Sequence, residues 1–126
     1  MIKDIAHIGI TVANINEIIE ELEILGMPCT SRAFHDEIGM DIAFCGKGES
    51  SIELGEKKSK VENSPISDKL GVHHIALKVE DIEKYYSMIK SSDKYSVQME
   101  IKQGAHGRVF FFRINNWDEI LFECVE

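Results

Sequence analysis

Four side chains of this sequence, His7, Glu53, His74 and Glu123, are of the types that grip a divalent metal ion, and they stand at matching places in an internal repeat. Two imidazole nitrogens and two carboxylates suit an ion of the first transition row, with room left in its shell for water or a chelating substrate. Cobalt, nickel, manganese and zinc all fit such a set, and affinity order alone does not choose among them. The histidines lie in IAHIGITVAN and GVHHIALKVED, which superpose at one constant offset: Ile8 on Ile75, Val12 on Val79, Asn14 on Asp81 and Ile15 on Ile82. The glutamates sit among apolar residues, in Ile52-Glu53-Leu54 and Leu121-Phe122-Glu123-Cys124. A carboxylate taken out of water is costly unless it is paired or bound to a cation. A single strand histidine is ordinarily structural, but four donors at repeated positions point to one metal site that joins the two halves.

Positioning those donors takes two copies of a βαβββ module. Ile8, Ile10 and Val12 alternate with His7, Gly9 and Thr11, which predicts a strand with one apolar face and one polar inner face. Asn14 then caps a helix, with Glu17 in capping-box position; Ile15, Ile18, Ile19, Leu22 and Leu25 form its apolar stripe and Gly26 ends it. Strands are expected at 30–34, 40–45 and 50–55, with a turn over Gly46-Lys47-Gly48-Glu49. The lysine-rich polar stretch 57–70, with a short helical turn over 66–70, reads as a linker. The second module repeats the order: a strand at 72–79 with His74, Ala76 and Lys78 on one face, a helix capped by Asp81 with the stripe Ile82, Tyr85, Tyr86 and Ile89, then strands at 96–102, 108–114 and 119–125. Module one covers 1–56 and module two 71–126, in an α+β chain of a single domain. His73 points with Ile75 toward the helix, and His35 belongs to a solvated loop.

Composition narrows the function classes. The 126 residues carry a net charge of −8 and a pI near 5.1, with no basic run to meet phosphates, so nucleic acid is excluded as a partner. Cys29, Cys45 and Cys124 are odd in number and lack metal-type spacing, which argues against a disulfide framework and for the cytoplasm. No apolar run reaches membrane-spanning length, and the first residues lack the pattern of a signal peptide.

Several segments together resemble the vicinal oxygen chelate superfamily, which includes glyoxalase I, methylmalonyl-CoA epimerases, extradiol dioxygenases and the fosfomycin and bleomycin resistance proteins. DIAHIGITV, SIELGE, NSPISDKLGVHHIALKVEDI, GAHGRVFFF and ILFECVE span nearly the whole chain and are most similar to the epimerases. The resemblance implies paired modules forming a cupped mixed sheet with the helices outside, one divalent metal on His7, Glu53, His74 and Glu123, and a homodimer. It implies a metal-dependent isomerase acting on an acyl-CoA. Two features differ from the epimerases: Arg113-Ile114-Asn115-Asn116-Trp117-Asp118-Glu119 stands where they carry an HPK-containing loop, and the chain is a residue short after GAHG. Glyoxalase I shares the two-His, two-Glu set, so isomerisation of a hemithioacetal is the alternative, and a non-catalytic small-molecule binder is a third reading.

The superfamily chemistry is removal of a proton beside a chelated carbonyl, the metal taking up the developing negative charge. Epimerisation needs a base on each face of the substrate carbon. Glu123 is expected as one and Asp41 as the second, with Glu53 equally able to serve. In GAHG, Gly104 and Gly107 bracket His106; the resemblance sets this segment near the active-site mouth, so His106 and the following Arg108 are expected to contact substrate, Arg108 through its affinity for carboxylate and phosphate.

Overall fold

The computed structural model describes residues 2–46, 51–62 and 69–126. The elements run β1 (Ile2–Thr11), α1 (Ile15–Ile24), β2 (Cys29–His35), β3 (Met40–Cys45), β4 (Ser51–Lys57), β5 (Gly71–Val79), α2 (Ile82–Ser91), β6 (Tyr95–Gln103), β7 (Arg108–Ile114) and β8 (Trp117–Val125). This is the βαβββ order twice. The turn expected over 46–49 and the helical turn expected over 66–70 lie wholly or partly outside the described residues. The chain forms two compact units, His7–His73 and His74–Glu126, the latter joined by Met1–Ala6. Among the described residues no helix is long and apolar enough to cross a membrane.

In the first unit the strands lie in the order β2-β3-β4-β1, antiparallel except for the parallel pair β1 and β4. One face is covered by α1, whose buried Ile15 and Ile19 pack on Ala43, Cys45 and Leu54. Side chains alternate along a strand, so the register Phe44 to Glu53 to Gly9 sends these three to the other face. There Met40, Ile42 and Phe44 form a second buried cluster.

The other unit has the order β5-β8-β7-β6, with β5 and β8 parallel. Ile82 and Ile89 of α2 pack with Val79, Phe110, Phe112 and Cys124. Tyr86 meets Phe110 edge-on at 5.3 Å, and Phe112 stacks on Phe122 at 5.4 Å between ring centres. The opposite face carries Ala76, Val109, Phe111, Leu121 and Val125, with Ala6 of β1 against them.

Both helices begin the same way. Asn14 Oδ1 accepts from Glu17 N at 3.2 Å, and Asp81 Oδ1 accepts from Lys84 N at 3.1 Å. A glutamate from the last strand region of each unit takes another of the free amides: Ile15 N donates to Glu56 Oε1 at 2.9 Å, and Ile82 N to Glu126 Oε1 at 3.3 Å. The first amides of a helix have no partner within it, and the dipole favours negative charge there, so each carboxylate fixes its helix to the strand that also carries a metal-type glutamate.

Candidate metal site

His7 and Glu53 come together because β1 and β4 run parallel with Gly9 opposite Glu53, so a residue two positions earlier on the same face reaches the carboxylate. His7 Nε2 lies 3.0 Å from Glu53 Oε2, and both side chains are buried. The other unit builds the same pair from β5 and β8. His74 Nε2 lies 3.2 Å from Glu123 Oε2, with His74 wholly buried. In each pair an imidazole nitrogen and a carboxylate oxygen face each other with little access to water, a donor set able to take a divalent ion. Burial of such polar groups is costly without pairing or a cation, which fits a metal role better than a passive one.

Each imidazole is also held by a phenyl ring. Phe44 meets His7 edge-on at 5.4 Å, and Phe111 meets His74 edge-on at 5.8 Å. Each phenylalanine stands opposite its unit's glutamate in the register, Phe44 to Glu53 and Phe111 to Glu123. Sequence reasoning passed over these two residues. The signal was present, because Phe44 and Phe111 are related by the same offset as His7 and His74. The carboxylates Glu56 and Glu126 were missed likewise, although Glu-x-x-Glu recurs at the end of both modules.

Two expectations are corrected. Asp41 does not face His7 and Glu53: it lies opposite Glu56, on the side of the sheet that α1 covers. Arg32 holds it there with Nη2 at 2.8 Å and Nε at 3.4 Å, while Arg32 Nη1 reaches Asn16 of α1. A carboxylate so engaged on the wrong face is not a base for this site. Arg108 shares its face with Phe110 and Phe112, toward α2, and donates to Glu126 through Nε at 2.9 Å and Nη2 at 2.6 Å and to Glu83 through Nη1 at 2.9 Å. Its guanidinium braces the start of α2 and is not presented on the face of His74 and Glu123.

His106 is exposed on the hairpin between β6 and β7, closed by Gly104 N donating to Gly107 O at 2.7 Å. Gly107 has φ +155, and a Cβ there would collide with the Glu126 carbonyl, so the glycine is required by the fold of the turn. Trp117 packs edge-on against Phe122 at 5.8 Å, beside the Asn115-Asn116 turn. On the first unit's face with His7, Thr11 Oγ1 is buried without a hydrogen-bond partner. Cys124 follows Glu123 but turns to the α2 core, and burial, reinforced by the Glu123 charge, pushes its thiol up to about 12. A protonated thiol on that face is not part of the donor set.

A family model described as the Glyoxalase/Bleomycin resistance protein/Dioxygenase superfamily matches residues 6–112. The chain belongs to this superfamily. It is 34% identical over 116 residues to the uncharacterized protein YwbC of Bacillus subtilis (strain 168), covering 89% of each. Mitochondrial methylmalonyl-CoA epimerase of Homo sapiens is 27% identical over 113 residues, 84% of this chain and 63% of that protein. Among solved structures, a Streptomyces coelicolor methylmalonyl-CoA epimerase variant in complex with 2-nitronate-propionyl-CoA superposes with a TM-score of 0.85 at 23% identity, covering 99% of this chain and 94% of that one. That likeness carries the fold, the paired βαβββ arrangement of glyoxalase-like proteins.

Proposed function

We propose that the chain is a metal-dependent isomerase that epimerises a 2-carboxyacyl-CoA such as methylmalonyl-CoA. The observation that carries this reading is the doubled, buried His–Glu pair, His7 with Glu53 and His74 with Glu123. In this reading the four side chains close on one divalent ion of the cobalt, nickel, manganese or zinc kind. The substrate class is drawn from the epimerases among its relatives. An ion held there supplies Lewis acidity toward two neighbouring substrate oxygens, so that negative charge developing on deprotonation is stabilised.

The residues of the chain supply the rest. Epimerisation removes a proton from one face of the carbon and returns one to the other, which takes two bases. With Asp41 turned to the α1 face, the two roles fall to the glutamates: the Glu123 carboxylate takes the proton on one side, the Glu53 carboxyl, protonated before the step, gives one on the other, and exchange with water resets both. Phe44 and Phe111 keep the imidazoles in fixed orientation and exclude water, which strengthens charge interactions around them. His106 on its exposed turn is assigned to the substrate's carrier portion, and a homodimer belongs to the same proposal.

One observation favours a second reading, isomerisation of a hemithioacetal. The turn between β7 and β8 is Asn115-Asn116, with Asn116 at φ 73, where the epimerases it resembles carry an HPK-containing loop. The test is metal analysis of the purified protein with proton exchange of methylmalonyl-CoA in heavy water. Stoichiometric metal and metal-dependent deuterium uptake at C2 are expected, both lost in His74→Ala. Metal without exchange, together with turnover of a hemithioacetal, would replace the first reading by the second.

A further inference from the structure

We propose that Cys29 and Cys45 form a thiol pair that a small disulfide such as oxidised glutathione converts to an intramolecular disulfide, a modification site apart from the His–Glu donors. The two residues stand directly opposite each other on the antiparallel strands β2 and β3. Gly46 N donates to Pro28 O at 3.0 Å, a ladder bond one residue outside the pair. In an antiparallel ladder that bond marks Cys29 and Cys45 as a non-hydrogen-bonded pair, with Cα atoms about 4.5 Å apart and side chains on one face. Disulfides span Cα separations of roughly 4.4–6.8 Å, so closure asks for no movement of the strands.

Cys29 Sγ donates to Ser31 O at 3.5 Å, and burial together with the neighbouring Cys29 thiol pushes the Cys45 thiol up to about 11. Their accessibility differs in a useful way. Cys29 is half-buried on β2, the edge strand of its unit, whereas Cys45 is fully buried. The register shift between Cys29 and Ser31 gives the outer thiol local freedom that a regular strand lacks. Cys124, the third thiol, is buried in the α2 core opposite Phe110.

The chemistry follows that order. The Cys29 thiolate attacks one sulfur of oxidised glutathione and displaces a glutathione thiolate, leaving a mixed disulfide on Cys29. The Cys45 sulfur then attacks that of Cys29 and expels the second glutathione, which departs with the Cys45 proton. Two protein thiols are oxidised and one oxidised glutathione is reduced to two molecules of glutathione. Cys45 neighbours Phe44, the ring against His7, so the bond would tie the edge strand to the strand that supports an imidazole.

The test is incubation of the reduced, folded full chain with oxidised glutathione, followed by intact mass and peptide mapping. The expected product has lost two hydrogens, joins the Cys29 and Cys45 peptides and leaves Cys124 free. Cys45→Ser is expected to stop at a glutathione adduct on Cys29, and Cys29→Ser to remain unmodified. A wild-type chain that stays reduced, that ends as a stable glutathione adduct, or that joins Cys124 to either thiol overturns the proposal.

Discussion

The two modules agree where atoms are needed and differ where only volume is. His7 and His74, Glu53 and Glu123, Phe44 and Phe111, Glu56 and Glu126 pair off with the same contacts in each unit. Around them the repeat has drifted. Under α1 the strand β3 presents Ala43 and Cys45, and at the matching places under α2 the strand β7 presents Phe110 and Phe112. Asp41 and Arg108 also match, and each faces its helix, yet one is held by Arg32 and the other braces Glu126 and Glu83. A hydrophobic core accepts any well-fitted volume, whereas a chelating pair or a capped amide needs a particular oxygen or nitrogen in place. The repeat therefore marks chemistry more reliably than it marks packing.

The sharpest way to break this equivalence is to remove one imidazole at a time. If the two pairs share one ion, His7→Ala and His74→Ala each lose it, with metal affinity falling by more than about 100-fold, since even outer-shell partners of a metal site are worth 10–100-fold. Metal analysis after dialysis reads the result for each variant. Retention of stoichiometric metal by either one would show that a single pair suffices and that the repeat does not build one shared site.

Packing should respond unequally. Phe110→Ala deletes a fully buried ring that touches Tyr86 and Phe112, and a cost of about 3–5 kcal/mol is expected for a large core truncation. Denaturant unfolding checks it. The matching residue of the first module is already Ala43, so no comparable loss is available there, and a cost for Phe110→Ala below about 1 kcal/mol would contradict the asymmetry of the two cores.

Much of this was legible because strands and helices leave different periods in the sequence. Alternation in the first and fifth strands set His7 and His74 on the correct face, and Asn14 and Asp81 announced both helices. The faces of Asp41 and Arg108 were not legible for a specific reason. Met40-Asp41-Ile42-Ala43-Phe44-Cys45 and Arg108-Val109-Phe110-Phe111-Phe112 are apolar on both faces, so alternation carries no parity, and only pairing with the next strand fixes it. The fourth strand, expected over 50–55, runs to Lys57 through polar residues that ladder pairing retains.

Acid should expose the shared helix anchor. The Lys58 ammonium beside Glu56, with the Ile15 amide, holds that carboxyl below its ordinary value of 4.5; the Arg108 guanidinium, with the Ile82 amide, does the same for Glu126. A carboxyl with a depressed folded pKa contributes stability above its unfolded pKa, and that contribution fades as pH falls through the folded value. Thermal unfolding from neutral pH downward should therefore show stability draining in the acid range. Glu56→Gln and Glu126→Gln should each be less stable at neutral pH and less sensitive to acid; an unchanged acid slope in both would remove these anchors from the account.

The smallest effect tests a position where the modules part company. Thr11 is buried with an unpartnered hydroxyl, while its counterpart Lys78 is exposed. A buried hydroxyl without a partner has lost its water and gained nothing, so replacing it by a group of the same shape should be neutral or favourable. Thr11→Val is expected to raise stability by about 1 kcal/mol in denaturant unfolding, and Lys78→Val to change it by less than about 0.5 kcal/mol as a surface substitution. A destabilised Thr11→Val would mean that the hydroxyl finds a partner in solution. Raised stability with weakened turnover would instead mean that the oxygen is kept for substrate, and that the first module's face does more than carry its His–Glu pair.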